Sequence, residues 1–342
     1  MNGKRKRASA VVVVSAAVGL TVWTSLAGAA PRATITGAGS TFVEPLVTVW
    51  SQRYASSTIS YSGIGSGGGI AAVTGRTVDF GASDAPLSAD QFAACKGCVQ
   101  IPWAFSATSI PYHVSGVRSG LKLTGQILAA IYSGSIKYWD NATIAKLNSG
   151  VALPHEKIVP VYRSDSSGTS YNFTDYLSHV SRAWAKTVGK STQPAFPVGQ
   201  GAAKSSGMAA KLASTDGAIG YVDVAYSLKN HLTFARVRNR AGKYELPGIT
   251  QIRAAAASLT KLRSKDNAIT VVDPSPKAKN AYPICTFTWA IVPLKTAKAP
   301  ELKKFLGWAL TKGQAYGPPL YFVPIPKIVL KAAQKTLARV HA

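Results

Sequence analysis

Three times along this chain a short β-branched run gives way to a cluster of Gly, Ser and Thr and then to a helical pattern. The junctions are Gly37 to Phe42, Gly63 to Gly69 and Arg163 to Thr169. The first follows Ala33 to Thr36 and opens a helix through Val43 to Tyr54, with Ser40 or Thr41 as its cap and Val43, Leu46, Val47 and Trp50 at helical spacing. The second follows the alternating run Thr58 to Ser62 and opens Ile70 to Thr74. The third follows Lys157 to Tyr162 and opens Ser170 to Val180. Between them Val78 to Ser83 reads as a strand ended by Asp84-Ala85-Pro86, before a helix over Leu87 to Ala94. This recurring strand–loop–helix order specifies an α/β fold with a parallel or mixed sheet.

The rest of the chain extends the pattern. Ile101 to Val114, Ala218 to Val222 and Thr286 to Pro293 read as strands; Thr124 to Ser133, Asn141 to Leu147 and Pro300 to Leu310 read as helices. A length of 342 residues fits one large or two ordinary domains. With 46% hydrophobic and 15% charged residues, a disordered chain and a coiled coil are excluded. Ala8 to Pro31 is the one long uncharged run with a continuous apolar centre, so a multi-span membrane protein is excluded too. That run follows Lys4-Arg5-Lys6-Arg7, has an apolar centre at Val11 to Leu20 and ends in Ala27-Gly28-Ala29. These are the parts of an export signal, expected over residues 1–30 and cut near Ala29 or Ala30; the alternative is an uncleaved anchor. No Cys lies near the cut, which excludes a lipoprotein anchor.

The three junctions are where chemistry is expected. A strand-to-helix turn presents free backbone N–H groups and the positive end of a helix, and together these bind anions. One such turn is an ordinary cap; three in one chain, one of them with an Arg and an Asp, point to an oxyanion site. Gly63, Gly65 and Gly68 also satisfy the dinucleotide spacing G-x-G-x-x-G. However, the motif sits on the second strand, and Asp84, 16 residues beyond Gly68, falls short of the usual place. Gly199 to Ser205 departs from a phosphate-binding loop at Ala203. No G-x-S-x-G is present, and His113, His155, His179, His231 and His341 show neither metal spacing nor a nucleophile partner. Cys95 and Cys98 form a C-x-x-C, which in an exported chain suggests a local disulfide; Cys285 is left over in an apolar strand. No metal and no cofactor are expected.

The formal charge is +25, and loss of Lys4, Arg5, Lys6 and Arg7 with the signal leaves +21. The basic residues look scattered, with that single dense cluster. This describes a global positive field that gathers anions and anionic cell-envelope surfaces, and it argues against a nucleic-acid-reading patch.

At its junctions the sequence resembles the phosphate-binding proteins of bacterial ABC transporters. The matching stretches are ITGAGSTFVEPL (35–46), YSGIGSGGGIAAV (61–73), VDFGASDAPL (78–87), IYSGSIKYWDNATI (131–144), RSDSSGTSYNFTDYL (163–177), GAIGYVDVAY (217–226) and FLGWALTKGQ (305–314). They are collinear and span nearly all of the chain after the signal. The resemblance implies a two-lobe, type II periplasmic-binding fold with the ligand in the cleft. One lobe is expected over 31–110 and 286–342 and the other over 111–285, with crossings near Ile110 to Val114 and Pro283 to Thr288. It implies that Thr41 and Phe42 offer N–H groups and a hydroxyl, that Ser66 donates, and that Asp84 accepts a hydrogen bond from the ligand. Arg163 would bind the anion and be held by Asp165, while Ser167, Gly168 and Thr169 close the site. The implied partners are inorganic phosphate and a membrane permease, with the binding protein acting as a monomer and not as an enzyme.

Elementary chemistry agrees. A buried dianion exchanges its hydration for many oriented donors. Asp84 is useful there only if the ligand brings a proton, as phosphate does at neutral pH and sulfate does not; an unpaired buried carboxylate permits discrimination of about 10⁴. Two blander roles compete: Asp84 as a cap before Ala85-Pro86, and Arg163 as a simple ion-pair partner of Asp165. An exported phosphatase would need a metal cluster or an activated nucleophile, and arsenate would pass the Asp84 test.

Overall fold

The computed structural model describes residues 33–262, 264 and 266–342, so the expected export signal lies outside the described residues. In chain order the strands are β1 Thr34–Gly39, β2 Thr58–Gly63, β3 Phe80–Ser83, β4 Cys98–Ser109, β5 Tyr112–His113, β6 Lys122–Leu123, β7 Val159–Arg163, β8 Gln200–Ala202, β9 Ala218–Ile219, β10 Val222–Asp223, β11 Arg236–Arg238, β12 Tyr244–Glu245 and β13 Cys285–Pro293. The helices are α1 Glu44–Arg53, α2 Ser66–Thr74, α3 Ala89–Cys95, α4 Gly125–Tyr132, α5 Ala142–Leu147, α6 Gly168–Val180, α7 Arg182–Thr187, α8 Lys204–Ser214, α9 Val224–Lys229, α10 Ile249–Ala257, α11 Ala299–Ala309 and α12 Lys327–Ala338.

A six-stranded sheet runs in the order β10-β4-β13-β3-β1-β2. Its β1 pairs in parallel with β2 and β3, while β13 is antiparallel to β3 and β4. Every residue of β4 and β13 is buried, so these central strands read as continuous apolar runs, as expected of strands covered on both faces. The β4–β13 ladder shifts register between Thr288 and Trp289, opposite Pro102 and Trp103. Proline has no N–H for the ladder, and a bulge accommodates it. Trp103 then lies buried among Trp50, Phe80 and Phe305.

A four-stranded sheet runs β5-β9-β7-β8, with β7 parallel to both neighbours, and a small third sheet runs β12-β11-β6. Residues 33–109 and 285–342 supply the six-stranded sheet apart from β10; the other two sheets come from the segment between. Ala218 to Val222, which reads as one strand, is two. It belongs to the four-stranded sheet at β9 and to the six-stranded sheet at β10, so the chain passes between sheets at Gly220-Tyr221. The junctions of the sequence reading sit at the carboxyl ends of β1, β2 and β7, where two sheet-centred halves face each other.

Candidate functional site

Ser40 turns the chain out of β1. Its Oγ accepts the N–H groups of Phe42 (3.1 Å) and Val43 (3.2 Å) in the turn ahead of α1. Neither Ser40 nor Thr41 caps the helix itself, which starts at Glu44 with Val43 as its N-cap and no side-chain cap. The Ser40 hydroxyl donates to Asp84 Oδ1. Ser66, the first residue of α2, accepts from the Asp84 N–H (3.2 Å) and donates to Asp84 Oδ2 (3.4 Å). The Asp84 carboxyl therefore caps no helix: Ser88 caps α3, and Ser83 Oγ takes the Ala85 N–H. At 2% exposure, burial pushes this carboxyl up to about 7, against the Ser40 hydroxyl, the Arg163 guanidinium and the Ser66 hydroxyl, which all favour its ionised form.

From the opposite half, β7 ends at Arg163, whose side chain is buried. Its Nε and Nη2 donate to the two carboxylate oxygens of Asp165 at 2.7 and 2.5 Å. This fork fixes the guanidinium plane. Burial alone would raise the Asp165 carboxyl; the bonds and charge of Arg163, with the Lys204 N–H at 2.9 Å, hold it below its ordinary value. The Arg163 N–H donates to the Tyr221 hydroxyl (3.0 Å), which pairs with Ser170 Oγ (2.7 Å). Ser167 caps α6 by accepting the Ser170 N–H at 3.2 Å. Thr169 Oγ1 is buried with no hydrogen-bond partner among the described residues, a costly state for a hydroxyl.

The halves touch across these residues. Gly168 N–H donates to Ser66 Oγ (3.1 Å), Gly67 N–H to the Ser166 carbonyl (3.1 Å), and Thr41 Oγ1 pairs with Ser205 Oγ (2.8 Å). Tyr226 OH donates to Glu44 Oε2 at 3.2 Å. Two glycines permit this approach. A Cβ on Gly168 would meet the Asp84 backbone at 2.7 Å, and Gly65, at φ +86°, would meet Asp165 Oδ2 at 2.6 Å. The glycines that suggested an anion cradle thus also let the two halves close to backbone distance. Thr41, Phe42, Ser66, Asp84, Arg163, Ser167 and Thr169 are all buried, and with Gly168 they meet in one place.

Sequence reasoning missed three residues here: Ser40 as the partner of Asp84, Ser205 and Asp223. Ser205 lies in the stretch set aside as a failed phosphate loop, which the structure nonetheless makes a strand-to-helix junction, β8 into α8. Asp223 directly follows the run Ala218 to Val222 and was not singled out. Its Oδ1 accepts the Tyr226 N–H at 3.0 Å and caps α9, while its Oδ2 is buried without a partner among the described residues. Burial pushes this carboxyl up to about 8, and the nearby Asp84 adds to the rise.

Away from the site, Cys95 and Cys98 are disulfide-bonded, and burial pushes the Cys285 thiol up. The positive charge is less scattered than it looked. On α12 Lys327, Lys331, Lys335 and the following Arg339 recur every fourth residue, and the helix carries no acid. That spacing places them on one face. No helix among the described residues is long and apolar enough to cross a membrane.

Known proteins share this chain's sequence and fold. Residues 24–312 match the model of the PBP superfamily domain. The phosphate-binding protein PstS of Xylella fastidiosa (strain Temecula1) is 36% identical over 304 residues, covering 87% of this chain and 83% of its own length. PstS of Pasteurella multocida is 35% identical over 309 residues, covering 88% and 89%. PstS of Methanocaldococcus jannaschii is 32% identical over 305 residues, covering 81% and 78%. Among solved structures, a high-affinity periplasmic phosphate-binding protein with phosphate bound superposes with a TM-score of 0.73 at 24% identity, covering 88% of this chain and 93% of its own. That likeness shows the fold, the type II periplasmic-binding architecture.

Proposed function

The chain belongs to the PBP superfamily and, within it, to the PstS family of phosphate-binding proteins, and from that premise we propose that it captures inorganic phosphate outside the cytoplasm and hands it to a membrane ABC permease. The observation that carries the reading is the meeting of Arg163, Asp84 and the buried hydroxyls of Ser40, Ser66 and Thr169 between the two halves. Binding, not catalysis, is the activity of such a protein, and no cofactor enters it.

The chemistry follows from the donors. Arg163 is held by Asp165 through Nε and Nη2, which leaves Nη1 to the anion. The N–H groups of Phe42 and Gly168 are held by the Ser40 and Ser66 hydroxyl oxygens. A phosphate oxygen is the stronger acceptor for both and would replace those hydroxyls. The hydroxyls of Thr41, Ser66 and Thr169 then donate, Ser167 and Gly168 close the helix end over the anion, and Asp84 accepts the ligand's own proton. Closure brings the loops around Gly67 and Ser166 together, the hinge motion expected of a two-lobe binder. We read the lobes as 31–110 with 286–342, and 111–285, except that β10 joins the sheet of the first, and the protein as a monomer. Calorimetric titration of the chain after residue 30, freed of bound anion, tests this reading. Tight phosphate binding with no response to sulfate supports it; no phosphate binding overturns it.

A second reading concerns the surface and rests on α12. Lys327 stands at its N-terminus, against the helix dipole, and the like charges four residues apart repel, so the stripe costs the helix stability. We read it as a seat for an anionic envelope surface, with charges about 6 Å apart along the axis. Sedimentation with vesicles containing anionic phospholipid should show steeply salt-dependent attachment. Lys331→Glu with Lys335→Glu should abolish it and Arg163→Ala should not. Attachment indifferent to the α12 changes would overturn this reading.

A further inference from the structure

We propose that Tyr221 is a positioning residue for anion capture: its hydroxyl oxygen holds the end of β7, with Arg163, against the head of α6, with Gly168 and Thr169. The inference rests on the phosphate reading above and adds to it a residue that does not touch the ligand.

The need for such a group lies at the edge of β7. Val159 N–H donates to the Gly217 carbonyl (2.9 Å), and β9 pairs with β7 at Val159 and Pro160. After Ile219 the chain leaves this sheet, and Val222 and Asp223 pair with β4 in the other. Val161 and Arg163 turn backbone groups to the same edge, where β9 has ended. Phenol hydroxyls stand in for the missing strand. Tyr132 donates to the Val161 carbonyl (3.0 Å), and Tyr221 accepts the Arg163 N–H (3.0 Å). A buried N–H without an acceptor is costly, so this bond fixes the last residue of β7.

The same oxygen makes a second bond. It lies 2.7 Å from Ser170 Oγ, in the first turn of α6. Arg163 and the head of α6 are thus both set by one atom. An oxyanion in the site must meet the Arg163 guanidinium and the Gly168 and Thr169 donors together. The spacing between these elements therefore decides how well the anion is held.

The phenol is itself fixed from both sides. Tyr221 is fully buried, and its ring stacks on Phe173 of α6 with centroids 4.5 Å apart. Its backbone belongs to the passage from one sheet to the other. There Gly220 N–H donates to the Pro111 carbonyl (2.9 Å) and Ser109 Oγ to the Val222 carbonyl (2.8 Å). Thr108 N–H donates to the Ile284 carbonyl (2.8 Å), so the passages at Ser109 to Pro111, at Gly220-Tyr221 and at Ile284 lie side by side. Asn172, in the next turn of α6, donates through Nδ2 to Thr108 Oγ1 (2.8 Å). Rotation of the halves must be taken up where the chain passes between them. Tyr221 carries that rotation to Arg163 and α6 as one unit.

The test is phosphate titration of the wild type, Tyr221→Phe and Ser170→Ala, and of Arg163→Lys with and without Tyr221→Phe. Tyr221→Phe keeps the ring on Phe173 and removes only the hydroxyl. It should weaken phosphate binding about tenfold, the scale of one neutral hydrogen bond. Ser170→Ala frees α6 alone and should cost about threefold, at the lower end of that scale. Arg163→Lys keeps the charge on a flexible stem that no fork aligns, so there is no longer a guanidinium for Tyr221 to place. Adding Tyr221→Phe to it should cost only the share due to α6. A residue that merely stabilised the fold would cost the same in both backgrounds, and this cycle measures the difference. Wild-type affinity in Tyr221→Phe or in Ser170→Ala, or an undiminished cost in the Arg163→Lys background, would overturn the proposal. Failure of the wild type to bind phosphate would instead overturn the underlying reading.

Discussion

The two walls of the site meet an anion by opposite means. On the wall built from the ends of β1, β2 and β3, every side chain offered is a hydroxyl or a carboxyl: Ser40, Thr41, Ser66 and Asp84. On the wall built from β7 and the start of α6 stands a buried cation, Arg163, whose fork is already half engaged by Asp165. The second wall supplies attraction to any oxyanion. On the phosphate reading proposed above, the first would admit only one that brings a proton or finds Asp84 protonated. That reading houses affinity and selectivity in different halves, and the substitutions below are chosen to alter one without the other.

The largest expected effect is on the attracting wall. Arg163→Ala removes the cation and strands Asp165, and loss of one partner of a buried charge pair costs about 2–5 kcal/mol, or roughly 30- to 4000-fold in affinity. Phosphate titration checks this, and a loss under about threefold would show that the cation is not what holds the anion. Arg163→Lys keeps the charge and loses the fork, so it should recover only part of the binding.

Next comes the contact between the walls. Gly168→Ala drives a methyl into the Asp84 backbone, where the closest approach would be 2.7 Å. The halves cannot then close fully. Phosphate affinity should drop by about ten- to a hundredfold, on the scale of about 1–3 kcal/mol for overpacking, and small-angle scattering with phosphate should show a more open particle. Wild-type compaction in this variant would mean that the glycine is not needed for closure.

Selectivity should depend on pH in a way the affinity wall does not share. With the Asp84 carboxyl raised to about 7, sulfate meets a protonated Asp84 below that pH and an ionised one above it. Sulfate binding should therefore weaken about tenfold per unit above pH 7 and level off below it. Competition of sulfate against labelled phosphate at pH 6 and pH 8 measures it.

A smaller effect is on stability. Asp84 and Asp223 both have folded-state values raised well above the ordinary 3.8, so between about pH 4 and 8 the folded chain holds protons that the unfolded chain releases. Stability of the anion-free protein from these groups is greatest in acid and falls as pH rises through that window. Thermal melting from pH 5 to 8 should show the decline, and Asp84→Asn with Asp223→Asn should flatten it. The smallest change is Tyr226→Phe, which removes one partly exposed bond to Glu44 across the halves and should cost under about tenfold in affinity.

Much of the attracting wall was legible in the sequence, because Arg163, Asp165 and the Ser167 cap lie within five residues on one strand-to-helix turn. The glycine loops were legible as loops, but their second use was not: Gly65 and Gly168 meet Asp165 and Asp84, far away in the chain, and only the fold creates that neighbourhood. Ser205 and Asp223 escaped for the same reason. Ser205 closes a loop that departs from the phosphate-binding pattern and Asp223 ends an apolar run, and only the fold sets Ser205 against Thr41 and buries Asp223 near Asp84. The α12 stripe escaped because the helix itself was not read, although Lys327, Lys331, Lys335 and Arg339 stand four apart in plain sequence.

The central claim is that Asp84, and not the cation, chooses the ligand. The direct measurement is the ratio of phosphate to sulfate affinity at pH 8 in the wild-type chain and in Asp84→Asn, each freed of bound anion. The account predicts a ratio at pH 8 at least about tenfold higher in the wild type than in Asp84→Asn, which is what protonating a carboxyl raised to about 7 costs there, with sulfate gaining as the neutral amide donates to it. A ratio that survives the substitution would contradict the account and move selectivity to the attracting wall.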